Sequence, residues 1–467
     1  MRWWHAHRAE VWLAVVVALV ALPVLQPLMA QQASRYALTA AIVDDGTVRL
    51  DAHAHLLGMD RAERGGHVYS DKAPGQPVWG VPAYAAYRAL GGSPAARSTE
   101  AVGDLGLWSV SAWSAALPAA ALGVVMRRLG RRAVPGRPVA AGAGALSLAL
   151  GTLLLPFATQ LFSHVLAGLL GVAAWELAAG GTGRGRWLAA GALAGAAVTV
   201  EYPMILLAAV VVTGAAWRAT RAGPGGSPAG RITRAVGWVA AGGLPFGLAL
   251  AAYHWAVFGG PLALPYHFSQ FAAHAQGVVG AQLPEATALA GVLAGERGLL
   301  TLTPIVAVAV IGLAALLRRP GLARADAVAG LVALVVLAAL MAGWSGSDFG
   351  GASPGPRYVV PALPWLAAGA ARAWAARWWP VTAAAAALAT AAMLVATFTL
   401  PLAQPSQEFA LGWWVQNALA GDWASTLLTR AVAPATAPGV AAALLAPLAA
   451  AAAAGVAWWR AERLGGW

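Results

Sequence analysis

Apolar runs near the length of a bilayer crossing recur along the chain, separated by polar intervals. They fall at 11–30, 105–126, 138–156, 159–179, 187–200, 203–217, 235–258, 299–317, 326–343, 358–375, 380–400 and 435–459. A stretch of about twenty apolar residues is what a helix needs to cross the hydrocarbon core. Several runs are short or broken by Gly and Pro, so the pattern predicts a bundle of about 10–13 transmembrane helices. Met29-Ala30-Gln31 resembles a signal-peptide cleavage site, but the run before it is long for such a peptide and polytopic sequence follows, so it reads as a retained helix. The expected fold class is an all-α polytopic membrane protein, with residues 1–467 as a single transmembrane domain and no separate C-terminal soluble domain. The polar intervals are one long loop at 31–104, two of medium length at 259–298 and 401–434, and a tight one at 344–357. Inside the first, the segment between 75 and 92 is apolar and aromatic but too short to span. It predicts a helix lying in the interface, anchored by Trp79, Tyr84 and Tyr87. The stretch 220–230 reads as a flexible connector.

Composition sharpens this picture. Sixty per cent of residues are hydrophobic and ten per cent charged, with a formal net charge of +12. A groove for nucleic acid would gather that charge, whereas here the arginines crowd alternate short loops. They cluster at Arg127, Arg128, Arg131, Arg132 and Arg137, at Arg218, Arg221, Arg231 and Arg234, and at Arg318, Arg319 and Arg324. The positive-inside bias then puts both termini in the cytoplasm, and the basic balance reflects topology and anionic lipid headgroups. The opposite loops carry most acids, including Asp44, Asp45, Asp51, Asp60, Asp71, Asp104, Asp348 and Glu408. Cysteine is absent, which excludes a disulfide framework and any thiolate nucleophile or metal ligand.

Candidate chemistry concentrates in the first long loop. Lys72 is the only lysine in the chain and lies beside Asp71 in the turn Asp71-Lys72-Ala73-Pro74, a placement suited to an ion pair or a phosphate contact. Acids at the edge of a low-dielectric cavity can be tuned as general bases, which makes Asp71, Asp60 and Asp51 candidates. Asp44-Asp45-Gly46 predicts a turn. His53 and His55 have the spacing of strand neighbours on one face and are candidate metal ligands with Asp51 or Asp60. The tight loop ends in Gly355-Pro356-Arg357-Tyr358, where Arg357 enters the membrane on the side that the positive-inside trend disfavours. Its fork suits a phosphate or carboxylate. His164 and Glu201 lie near outer membrane ends, where an ionisable group is a functional candidate.

Taken in order, a first span, a long outer loop ending in an aromatic-x-acid-Lys-x-Pro turn, and a later Gly-Pro-Arg-Tyr entering a helix resemble the GT-C superfamily. These are membrane glycosyltransferases that use polyprenyl-phosphate sugars, among them the aminoarabinose and protein mannosyl transferases. Where aminoarabinose transferases carry Tyr-Phe-Glu-Lys-Pro-Pro, this chain has Tyr69-Ser70-Asp71-Lys72-Ala73-Pro74. Gly-Leu-Leu-Thr-Leu-Thr-Pro at 298–304, Phe-Gly-Gly-Pro-Leu-Ala at 258–263 and Glu201-Tyr202-Pro203 add to a likeness to uncharacterised bacterial family-39-like proteins. One departure stands out. Many of these enzymes place an acid directly after the first span, whereas here that place reads Gln31-Gln32-Ala33-Ser34-Arg35-Tyr36.

The resemblance implies a GT-C-like bundle in the bacterial cytoplasmic membrane with an extracytoplasmic site. It implies transfer of a sugar from a polyprenyl-phosphate donor to a glycan, lipid or protein acceptor, by a single displacement that inverts configuration. Arg357, Lys72 and Tyr358 would hold the donor phosphate, a carboxylate from Asp71, Asp60 or Asp51 would act as base, and His164, Glu201, Tyr69 and His67 would complete the cavity. No cofactor is required by this scheme, and a divalent metal is left open. The alternatives are a flippase or permease for lipid-linked sugars and a non-catalytic envelope-assembly protein.

Overall fold

Every one of the twelve apolar runs contains helix. The computed structural model describes residues 2–95, 104–222, 227–277, 280–344, 351–404, 406–407, 409–432 and 437–464. Asp348, Glu408 and the middle of the connector expected at 220–230 lie outside the described residues. The first run forms Arg2–Ala21 and stops before Pro23, which cannot donate to a continuing helix. The chain then extends, and Val24–Leu25 pairs antiparallel with Ser425–Thr426. The bundle is built from Leu105–Ala133, Pro138–Gly151, His164–Gly180, Arg184–Val200, Met204–Thr220, Pro228–Phe258, Ile305–Leu316, Leu322–Ala342, Trp379–Phe398 and Ala437–Leu464. Among the described residues five helices are long and apolar enough to cross a membrane, and a bent pair makes a sixth. That pair, Ala286–Leu302 and Ile305–Leu316, turns through 97° at Thr303-Pro304. The protein is an integral membrane protein of the polytopic helical kind.

Two local features position the site. Residues 358–375 do not begin as an α-helix: Arg357–Leu366 is a buried 3-10 helix, and Pro361 and Pro364 withhold the donors that α-turns would use. This tighter coil holds Arg357 and Tyr358 at its first turn. Small residues bring backbones together elsewhere in the bundle: a Cβ on Gly191 would overlap the Val239 carbonyl, and one on Gly242 would overlap that of Leu188.

The long polar interval folds into helix Ala30–Ala40, a π-turn at Ala41–Asp45, a 3-10 segment Asp51–Leu56, a hairpin of Ala62–Arg64 with His67–Tyr69, and helix Gly75–Ala89. Gly65 and Gly66 make the hairpin turn with φ of 58° and 79°, the left-handed pair such a connection needs. The turn expected at Asp44-Asp45-Gly46 is present, with Gly46 at φ 64°. Gly75–Ala89 forms where a short helix is expected, but of the three expected anchors Trp79 alone is exposed and Tyr87 is half-buried. Tyr84 is fully buried and donates to Asp44 at 2.8 Å, so it anchors the loop to its own core and not to an interface. The strand-like spacing of His53 and His55 is also overturned. Both lie in the 3-10 segment, where residues two apart do not share a face, and His53 is buried against Asp45 (3.1 Å) while His55 is exposed.

Candidate active site

The hairpin delivers Ser70-Asp71-Lys72 into the protein, and Pro74-Gly75 then starts the next helix. Gly75 is required there, because a Cβ would run into the backbone of Thr199, two residues before Glu201. Lys72 Nζ donates to Asp60 Oδ1 at 2.7 Å and to Asp71 Oδ2 at 2.9 Å. Asp71 is completely buried and also accepts from Ser34 Oγ (3.3 Å) and Ser269 Oγ (3.5 Å). Two carboxylates therefore share one ammonium, and their environments separate them. Burial, with Asp60 adding to it, pushes the Asp71 carboxyl above its ordinary value against the pull of Lys72. For Asp60 burial acts in the same sense but loses to Lys72, helped by Arg357 and Arg35, and the carboxyl is held low. Burial also works against the Lys72 ammonium, yet the two carboxylates outweigh it and raise its value.

A second ion pair lies beside the first. Helix Ala30–Ala40 carries Gln31 and Arg35, and Arg35 Nη2 reaches Ser163 Oγ (3.2 Å) and Glu201 Oε2 (3.6 Å). Ser163 donates to the same Glu201 oxygen, and His164 Nδ1 stands 3.8 Å from it. Opposite, Arg357 donates to Gln31 Oε1 and to the Tyr358 hydroxyl (3.3 Å), with its guanidinium 5.0 Å from the Tyr358 ring centroid. Gln31 thus occupies the place where the resemblance leads one to expect an acid. Its neutral amide oxygen caps a guanidinium that an acid would have neutralised.

These groups enclose a small polar cleft. Of the residues singled out from sequence, Lys72, His164, Glu201, Arg357 and Tyr358 line it, with Asp71 and Asp60 bound behind Lys72. Gln31, Arg35, Tyr266 and His274 complete the wall. Burial, then Lys72 and Arg357, push His274 down to about 3, so it is neutral. Its Nδ1 meets Ser269 Oγ at 2.8 Å, and Ser269 is the residue that contacts Asp71. Several buried nitrogens in this wall have no hydrogen-bond partner among the described residues: both of His164, Nε of Arg35 and Nε of Arg357.

Other candidates stand apart from the cleft. Asp51 accepts from the Val68 amide (2.8 Å) and pairs with His67 Nδ1 (2.8 Å), and that amide is the main reason its carboxyl is held low. The pair fastens the hairpin to the preceding 3-10 turn. Tyr69 packs on Phe258 with ring centroids 5.9 Å apart and supports the loop. No group of three or more His, Cys, Asp or Glu suited to a metal ion occurs among the described residues, and His53 and His55 face different surroundings, one buried and one exposed. Arg35 was missed from sequence although it carries the same signal as Arg357, an arginine on the disfavoured side of a span. His274 carries no signal in the linear pattern.

No protein-family model matches the chain, and no curated protein matches it. Among solved structures, ArnT from Cupriavidus metallidurans bound to undecaprenyl phosphate superposes with a TM-score of 0.52 at 16% identity, over 98% of this chain and 76% of that one. Its apo form gives 0.51 at 14% identity, over 98% and 74%. The oligosaccharyltransferase of Archaeoglobus fulgidus aligns at 0.46 with 12% identity, over 91% and 57%. The likeness to ArnT is one of fold: the chain shares the polytopic helical architecture of that structure, the fold that the sequence resemblance led one to expect.

Proposed function

We propose that the chain is a membrane glycosyltransferase that moves a sugar from a polyprenyl-phosphate donor to a cell-envelope acceptor on the extracytoplasmic side. The observation that carries this is the convergence of Lys72, Arg35 and Arg357 on one cleft beside a buried carboxylate pair, in a fold whose Cupriavidus relative in shape binds undecaprenyl phosphate. A phosphate monoanion or dianion needs fixed cations where its charge grows as it leaves. Arg357 and Lys72 supply them, and the unpartnered nitrogens of Arg357, Arg35 and His164 are donors or acceptors left over for a ligand.

In the proposed step, the acceptor hydroxyl oxygen bonds to the anomeric carbon while the bond from that carbon to the phosphate oxygen breaks. Polyprenyl phosphate leaves with the electron pair, and configuration inverts. The hydroxyl proton goes to the Asp60–Asp71 pair. Asp60 is the more open of the two, with its side chain 19% exposed. Asp71 is the more basic and connects to the cleft through Ser269 and His274. The acceptor class, the sugar and the side of the membrane belong to this proposal.

The test is release of free polyprenyl phosphate from a panel of polyprenyl-phosphate sugars, read by mass spectrometry on protein in lipid. Sugar-selective release by the wild type, lost in Arg357→Ala and in Asp71→Asn, is the expected result. Donor binding without release from any sugar, with or without added acceptors, would overturn the transferase reading and favour a carrier of lipid-linked sugars.

A further inference from the structure

Along the bundle, Met204–Thr220 and Leu322–Ala342 part to leave a groove of about 890 Å³. Both helices start or finish at the cleft. Glu201 precedes the first, and Trp344, its ring tilted against that of Tyr358 with centroids 4.8 Å apart, follows the second. Arg221 and Arg324, which line the groove at the far ends of these helices, therefore lie away from the cleft and among the arginine-rich loops. The walls between are apolar apart from Thr213, whose hydroxyl donates to the Ala209 carbonyl at 2.9 Å. Ile205 and Val328 are 60% and 45% exposed, so the groove opens sideways, where the bilayer lies. Its floor is Trp175, which fits because a Cβ on Gly214 would strike the indole ring.

Length and charge identify the occupant. From Arg324 to Val336 is twelve residues, or about 18 Å of helix at 1.5 Å per residue. One leaflet contributes half of a hydrocarbon core of about 30 Å, roughly 15 Å. On the facing helix the lining runs from Arg221 to Ile205, sixteen residues or about 24 Å, so the groove runs from headgroup level past the midplane and is long enough for the acyl chains of one leaflet. Its described lining has two arginines and no carboxylate. Guanidinium forks suit a phosphate, and Arg221 is steadied at 4.8 Å from the Trp217 ring.

We propose that this groove is a binding site for one anionic phospholipid of the leaflet on the arginine-rich side. The acyl chains lie between the two helices, and the phosphate sits between Arg221 and Arg324. The site is separate from the cleft and does not depend on the transferase reading. It bears on the fold through its floor, because Trp175 donates to buried Asp326 at 2.8 Å and Asp326 also pairs with Arg132 at 3.1 Å. A seated lipid packs against the indole that carries this network.

The test uses the full chain, delipidated in detergent and exposed to phosphatidylglycerol or to phosphatidylcholine with the same acyl chains, with retained lipid counted by native mass spectrometry. The wild type should keep one phosphatidylglycerol with a preference of about tenfold or more, as expected for two arginines at a headgroup. Arg221→Ala/Arg324→Ala should lose the preference. Ala209→Phe, placed on an exposed groove wall with both arginines intact, should lower retention of either lipid. Equal retention of the two lipids by the wild type, a preference that survives the double substitution, or retention unchanged in Ala209→Phe would each overturn the proposal in favour of a non-specific lipid shell.

Discussion

Two buried ion-pair clusters, one around Arg127 and one at the cleft, are completed differently. The Arg127 fork is filled: Nε and Nη2 donate to the two oxygens of Glu462, Nη2 at 2.7 Å, and Nη1 reaches Glu10 at 3.5 Å. Arg128 closes on the other side of Glu10 with two bonds of 3.1 Å, and Trp458 donates to Glu462 at 3.2 Å. At the cleft, Arg357, Arg35 and His164 keep buried nitrogens with no partner among the described residues, and one lysine serves two acids. Unmatched buried polar groups cost stability. A closed network serves the fold, whereas an open one forgoes stability to keep donors ready for a ligand.

The largest effect that would test this contrast is on folding. Arg127→Ala leaves Glu462 buried without its partner, and breaking such a pair costs about 3–5 kcal/mol. Chemical or thermal unfolding in detergent should show that loss, while turnover per folded molecule stays near wild type. Arg357→Ala should do the reverse. On the proposed function, loss of a positioned cation at a departing phosphate should lower turnover by roughly 10²–10³, or about 2.7–4 kcal/mol of transition-state stabilisation, by analogy with removing one oxyanion donor. Its unfolding penalty should be smaller than that of Arg127→Ala. Equal unfolding penalties in the two clusters would break the comparison.

A subtler effect separates two acids of the same loop by pH. The Asp71 carboxyl is raised in the folded state, first by burial, so its contribution to stability is present below the unfolded value of about 3.9 and is lost as pH rises through the folded value. Asp51 is held low, chiefly by the Val68 amide, so its contribution is present above about 3.9 and is lost as pH falls through the folded value. Melting temperatures of Asp71→Asn and Asp51→Asn across this range should therefore lose opposite slopes. The Asp51 effect should be the weaker, because that residue is exposed to solvent. A shared slope would place both carboxylates in one kind of environment and remove the distinction between a cleft acid and a loop fastener.

How much of this was legible beforehand follows from the range of the interactions. The helical runs, the first of them included, and the short helix after Pro74 are written in local periodicity. Lys72 and Arg357 stand out because each breaks a compositional trend. The rest depends on contacts between distant parts of the chain. Arg35 finds Ser163, 128 residues away, and Ser269 meets Asp71 across 198. Arg297, buried and bound to the carbonyls of Ala403 and Gln404 (both 3.0 Å), fixes one loop against another without any local signal. His53 and His55 misled because spacing by two is a strand pattern only if the backbone is extended. Here Asp51 and the turn geometry favour a 3-10 coil.

The smallest effect lies where the long first loop joins the bundle, and it would show whether support for the cleft can be loosened without opening it. Asp104 is the N-cap of the helix beginning at Leu105, accepting from the Gly106 amide at 2.7 Å and the Leu107 amide at 3.4 Å. Its other oxygen accepts from the Tyr36 hydroxyl at 3.1 Å, and Tyr36 follows Arg35 on the helix that also carries Gln31. Removing a cap of this kind costs about 1 kcal/mol. Asp104→Ala should therefore melt slightly earlier than wild type. Asp104→Asn, which keeps an acceptor for the helix amides, should restore most of that loss. Turnover should change by less than about tenfold in either variant, because the cleft cations are held by Gln31, Glu201 and Asp60, not by Tyr36. A collapse of turnover in Asp104→Ala, with melting almost unchanged, would mean that the position of helix Ala30–Ala40 is set from its Tyr36 side. The open network would then be an induced arrangement and not a preformed one.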